Sequence, residues 1–124
     1  MQSQFKSIIW CWLALALLAF ASAQTDPAAC DALADVRLND VNVLSATLVP
    51  ASDTLPAFCS VRGYVRPAIN FEVRLPEDWN GGFYMAGCGG FCGQLLSDAP
   101  GFINAMNYGL ARGYAAATMD GGHW

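Results

Sequence analysis

The apolar and polar positions of this chain change rhythm three times, and each change predicts a different kind of element. Ile8 to Phe20 (IIWCWLALALLAF) is an unbroken apolar run behind one positive charge, Lys6, and is followed by the small residues Ala21-Ser22-Ala23. That pattern is a signal peptide cleaved before Gln24. The run falls short of the about 20 apolar residues that span a bilayer. Cys11 lies inside it rather than at its end, which argues against a lipid anchor.

A period of two follows. Asp31 to Val36 suggests a short helix, and Val41 to Val49 (VNVLSATLV) has the β-branched, partly alternating character of a strand. Pro50 to Pro56 reads as a loop. Phe58 to Val65 alternates as a second strand and is broken by Pro67, which cannot donate to a ladder. In Asn70 to Leu75 (NFEVRL), Phe71, Val73 and Leu75 face one way and Glu72 and Arg74 the other, the pattern of a half-buried strand. Pro76 to Gly82 (PEDWNGG) is a turn containing a strong Asn-Gly signal.

The third rhythm is that of covered strands around a helix. Phe83 to Ala86 (FYMA) reads as a strand buried on both faces and leads into the glycine-rich Gly87 to Gly93. Ser97 or Asp98 is a suitable helix cap with Pro100 in the first turn. Phe102, Ala105, Met106, Gly109 and Leu110 fall at helical spacing, and Gly113 suits the left-handed position past the helix end. Tyr114 to Met119 is a further buried strand, with Asp120 to His123 as its exit loop. Strand, glycine loop, helix and strand make one βαβ unit, for which a right-handed crossover is the default. The expectation is an α/β chain with antiparallel edge strands followed by that unit. Trp124 comes directly after a strand exit, so further residues are expected beyond it to cover these strands.

Composition changes the picture in two ways. Without residues 1–23 the chain keeps all ten acidic residues and five Arg, a formal charge of −5 with no Lys. Such a surface excludes nucleic acid, whose binders cluster Lys and Arg. The remaining cysteines number four: Cys30, Cys59, Cys88 and Cys92. In an exported chain an even number reads as disulfides, with three pairings open. Zinc would want two short Cys or His pairs, and Cys30 and Cys59 have no close partner, so no metal is expected.

The chemistry-bearing candidate is the glycine loop. No G-x-S-x-G elbow is present, and Ser45, Ser52, Ser60 and Ser97 are not glycine-flanked, so no member of a catalytic triad is expected within these residues. His123 has no serine elbow before it and reads as a loop histidine. The phosphate-binding pattern fails, because the sixth position of Gly87-Cys88-Gly89-Gly90-Phe91-Cys92 is not glycine. What remains is a tight turn or an oxyanion hole, which needs backbone N–H groups after an early strand and close approach to the ligand.

The chain resembles the N-terminal part of the tannase and feruloyl esterase family. The resemblance rests on Cys30-Asp31-Ala32-Leu33, Leu55 to Val61 (LPAFCSV), Ile69 to Gly81 (INFEVRLPEDWNG), Gly87 to Gly93 (GCGGFCG), Ala111 to Ala115 (ARGYA) and Asp120 to His123 (DGGH). It implies a secreted serine esterase with an α/β-hydrolase domain and an inserted lid, acting on small aromatic esters such as feruloyl or galloyl esters. The triad and a lid that often holds calcium would lie downstream, so no cofactor is expected in this chain. Residues 1–23 are then the signal peptide, and residues 24–124 an incomplete, inactive N-terminal part that leaves the membrane once the signal is cleaved. By the same resemblance Gly90 would donate its N–H to the oxyanion with Gly89 beside it, and Cys30 and Cys59 would be disulfide-linked. Cys88 and Cys92 would bridge each other or find a partner downstream. The competing expectation is a non-catalytic, disulfide-stabilised secreted module.

Overall fold

A computed structural model describes residues 26–87, 92–95, 97, 98 and 105–122. The expected signal peptide lies outside them. The elements are α1 (Pro27–Asp31), a 3₁₀ turn (Ala32–Asp35), β1 (Arg37–Leu38), β2 (Val41–Val49), β3 (Phe58–Val65), β4 (Ile69–Pro76), β5 (Phe83–Ala86), α2 (Met106–Leu110) and β6 (Ala115–Met119). The first helix begins earlier than its apolar pattern implies. Asp26 Oδ1 accepts from Ala28 N–H at 3.0 Å and Pro27 occupies the first turn, a capped start that needs no apolar periodicity.

One six-stranded sheet runs in the order β1-β2-β3-β4-β6-β5. β1 to β4 are antiparallel neighbours, β6 lies antiparallel to β4, and β5 and β6 are parallel with α2 between them in sequence. β2 bears a register shift between Val43 and Ser45 that leaves Leu44 exposed between them.

The sheet is covered on two faces. On one, Phe58, Ala86, Met106, Leu110 and Ala116 form the core under α2, with Val49, Leu55 and Tyr84 beside it. On the other, Cys30, Cys59 and Val61 pack with Leu33, Ala46, Leu48, Val73 and Leu75 beneath α1 and the 3₁₀ turn. A Cys30–Cys59 disulfide with a Cα–Cα distance of 5.7 Å staples this second layer to β3.

Two expectations about burial are corrected. β4 alternates as its sequence indicates, yet its polar face is the deeper one: Glu72 is 0% and Arg74 3% exposed, while Phe71, Val73 and Leu75 are only partly buried. The charged pair goes inside because each charge finds a partner there. β5 is not covered on both faces. Phe83 and Met85 are more than half exposed, since β5 is an edge strand in the described sheet and only its Tyr84–Ala86 side meets α2.

Gly113 ends α2 as expected, at φ +79°. A Cβ there would stand 2.9 Å from the Asp78 carbonyl oxygen. The Gly113 carbonyl accepts from Asn80 N–H at 2.8 Å, and Asn80 Nδ2 donates to the Arg112 carbonyl at 2.9 Å. Trp79 Nε1 donates to the Gly82 carbonyl at 2.7 Å. The Trp-Asn-Gly turn therefore locks the end of α2 to the start of β5.

Candidate functional site

The glycine loop leaves β5 at Ala86 and its described exit resumes at Cys92. Gly89, Gly90, Cys88 and His123 lie outside the described residues. The loop's entry is held by Thr118, a buried residue of β6 whose hydroxyl donates to the Ala86 carbonyl at 3.1 Å. At the exit, Cys92 Sγ lies 3.1 Å from the Asp120 carbonyl oxygen. Cys92 is a disulfide cysteine and has no thiol proton, so this is a close sulfur–oxygen contact rather than a donated hydrogen bond.

Asp120 itself is 2% exposed. Its carboxylate accepts from Asn70 N–H at 3.0 Å, Gly122 N–H at 2.9 Å and the Asn70 side-chain amide. Burial pushes its pKa up, but these donors outweigh burial and hold the carboxyl below its ordinary value. The DGGH block thus begins with a carboxylate that ties the β6 exit back to the start of β4.

The segment after Cys92 reaches the sheet through charge. The turn that Ser97 or Asp98 is expected to cap falls on residues 99–104, outside the described residues. The Ser97 hydroxyl donates to Glu72 Oε2, and Asp98 Oδ1 stands 2.8 Å from Arg74 Nη1. The described helix starts later, after Ala105, which makes no side-chain cap; Pro100 and Phe102 lie outside the described residues. Glu72 is reached by three further residues: Ser60 Oγ at 3.0 Å, Arg74 Nε at 2.6 Å, and Arg62 through Nε at 2.9 Å and Nη2 at 2.8 Å. Arg74 also donates to Asn107 Oδ1 of α2 at 2.6 Å and lies over the Phe58 ring, 5.0 Å from its centroid.

These contacts decide the charge states. Burial raises the Glu72 pKa, but the Ser97 hydroxyl and the Arg74 and Arg62 guanidiniums overcome it and hold the carboxyl below its ordinary range. Asp98 is lowered chiefly by its bond to Arg74. Glu72 is therefore ionised and fully engaged, which makes it an unsuitable proton shuttle. The Ser97 hydroxyl is spent on Glu72 and 4% exposed, so it is no nucleophile either. A cleft of about 270 Å³ opens beside the network between the loop from Val49 to Leu55 and Phe58.

Sequence reasoning singled out the glycine loop and missed the network around it. Opposite charges two apart on an alternating strand face the same way and can pair with each other, but that spacing gives no sign that other groups cover the face. Among the described residues no group of three or more His, Cys, Asp or Glu is placed to hold a metal, and no helix is long and apolar enough to cross a membrane.

Residues 54–124 match the sequence profile described as tannase and feruloyl esterase. An uncharacterized esterase of Xanthomonas campestris pv. campestris is 42% identical over 87% of this chain and 20% of its own length. The mono(2-hydroxyethyl) terephthalate hydrolase of Piscinibacter sakaiensis is 34% identical over 77% of this chain and 20% of its own. The chain thus spans about a fifth of the length of these curated relatives. Feruloyl esterase B from Aspergillus oryzae superposes with a TM-score of 0.65 at 27% identity, over 79% of this chain and 22% of that one. An esterase from the same organism gives 0.64 at 23% identity over 80% and 23%, a likeness of fold.

Proposed function

This chain belongs to the tannase and feruloyl esterase family, and from that premise we propose that it forms the N-terminal part of a secreted serine esterase of small aromatic esters. The family's members matched here are esterases and hydrolases, which makes a carboxylic ester the substrate class. In the proposed reaction a serine contributed from outside these residues adds to the ester carbonyl, the alcohol departs with a proton, and water hydrolyses the acyl-serine to the free acid. Gly90, with Gly89 beside it, supplies a backbone N–H to the oxyanion of both tetrahedral intermediates. The fold is that of an α/β hydrolase, and export follows from the signal-like residues 1–23.

The single observation that carries this reading is the position of the glycine loop. It leaves a strand that is parallel to its neighbour β6 and precedes the helix that packs on both, where an oxyanion loop is needed. The aromatic acyl groups named for the relatives, feruloyl and terephthalate, make single-ring aromatic acids the acyl class to test first.

The test is the coding sequence past Trp124 together with assays of the intact gene product. A glycine-flanked serine elbow downstream, and hydrolysis of methyl ferulate or methyl gallate, are expected. Gly90→Val in that product should lower kcat by about 10²–10³-fold with folding retained, the usual cost of losing one oxyanion donor. An unchanged kcat would refute the role of Gly90.

A further inference from the structure

The polar network on β4 asks for an explanation beyond stability. Two charges are taken almost wholly out of water, and replacing such a pair by apolar side chains of similar volume is often neutral or stabilising. The opposite face of the same strand shows that apolar packing was available, since Val73 and Leu75 pack there beneath the disulfide. What the charged pair supplies and packing does not is direction. A guanidinium presents donors in a fixed planar fork. Arg74 uses that fork to reach Glu72 from Nε and both Asp98 and Asn107 from Nη1.

The partners come from four places in the chain. Ser60 and Arg62 are on β3, Glu72 and Arg74 on β4, Ser97 and Asp98 on the segment leading out of the glycine loop, and Asn107 on α2. Asn107 Nδ2 closes the circuit to Asp98 Oδ1 at 3.4 Å. We infer that Glu72 and Arg74 are positioning residues, a buried clamp that fixes the exit arm of the glycine loop against the sheet. This inference rests on the esterase reading given above for its catalytic consequence, whereas the clamp itself rests on the geometry alone.

The clamp has an exposed end, which makes it testable without damaging the core. The Asp98 side chain is 70% exposed while Arg74 beneath it is 4% exposed. The charged groups facing Asp98 are Arg74 on β4 and Arg62 on β3. Both favour its ionised form, so the clamp is closed at neutral pH and its outer end opens as acid protonates Asp98 below its ordinary value of 3.8.

The experiment uses the intact gene product with Asp98→Asn, Asp98→Glu and, as a control for charge alone, Asp35→Asn in the exposed Asp35–Arg37 pair. Hydrogen–deuterium exchange is followed over residues 92–98, and kcat, KM and the pH–rate profile are measured with methyl ferulate. Asp98→Asn should raise exchange in that segment and lower kcat about tenfold or more with KM within about twofold, since small misplacement of catalytic groups is costly. Asp98→Glu should recover part of the loss, the acid limb assigned to Asp98 should vanish in Asp98→Asn, and Asp35→Asn should match the wild type. Unchanged exchange overturns the clamp. Raised exchange with kcat and pH profile unchanged, or with KM alone altered, overturns its positioning role. A wild type inactive on every aromatic ester tried would count against the esterase reading instead, and exchange over residues 92–98 would then decide the clamp by itself.

Discussion

The two faces of the β3–β4 pair are built from different physics. Beneath α1 the contacts are apolar, non-directional and fastened by one covalent bond between Cys30 and Cys59. Beneath α2 the same two strands present Ser60, Arg62, Glu72 and Arg74, each committed to a named partner at a fixed angle. An apolar layer can shift by a fraction of an ångström with little loss, whereas a buried charge cannot leave its partner. The directional face is the one that receives Ser97 and Asp98, on the segment leading out of the glycine loop, so the contrast separates holding the chain together from holding that segment in place.

The largest effect should come from breaking the charged face at its centre. Glu72→Ala takes from Arg74 its buried carboxylate partner, leaving only the exposed Asp98, and is expected to cost about 3–5 kcal/mol, measured by urea unfolding. Replacing both, Glu72→Leu with Arg74→Met, should cost far less. Equal losses for the single and double variants would mean that side-chain volume, not charge pairing, sets this face. Acid gives the same comparison without mutation. Glu72 and Asp98 both have folded pKa values below their ordinary 4.5 and 3.8, so their contribution is complete above those values and disappears as pH falls through the lower folded ones. Stability measured against pH should therefore drop below about pH 4 in the wild type, and less steeply in the double variant.

The apolar face should respond to one covalent change. The Cys30–Cys59 bridge spans a sequence separation of 29. Removing it with Cys30→Ala and Cys59→Ala is expected to cost about 3–4 kcal/mol in the chain-entropy account. The loss should leave exchange over residues 92–98 at the wild-type level near neutral pH. A matching rise in that segment would show that the two faces are not independent, and would weaken the contrast between them.

The same contrast explains what could be read from the sequence. Strands β2 to β4 were legible because alternation and β-branching are local, β5 and β6 as short apolar runs beside a glycine loop and a helix, and Gly113 because a left-handed helix end favours glycine. The parallel pairing of β5 with β6 followed from the glycine loop and helix between them. The inversion of burial on β4 was not legible. Glu72 and Arg74 look like a solvated face until Ser97, Asp98 and Asn107, more than 20 residues on, are known to approach them. The open face of β5 was hidden for the complementary reason: Phe83 and Met85 are apolar whether or not anything covers them. Periodicity assigns residues to faces, and only tertiary contact says which face is inside.

The smallest expected effect tests whether the polar control extends to the loop's entry as well as its exit. Thr118 lies opposite Glu72 in the sheet register and donates its hydroxyl to the Ala86 carbonyl, the last of β5. Thr118→Val keeps the shape and removes that donor, and should cost about 1 kcal/mol, the net worth of one neutral hydrogen bond. If β5 delivers the chain into the loop at a set angle, exchange at Gly87 should rise with the loss. If stability and exchange both stay at wild-type values, the parallel ladder alone sets the entry, and directional control is confined to the exit arm, where Glu72 and Arg74 hold Ser97 and Asp98.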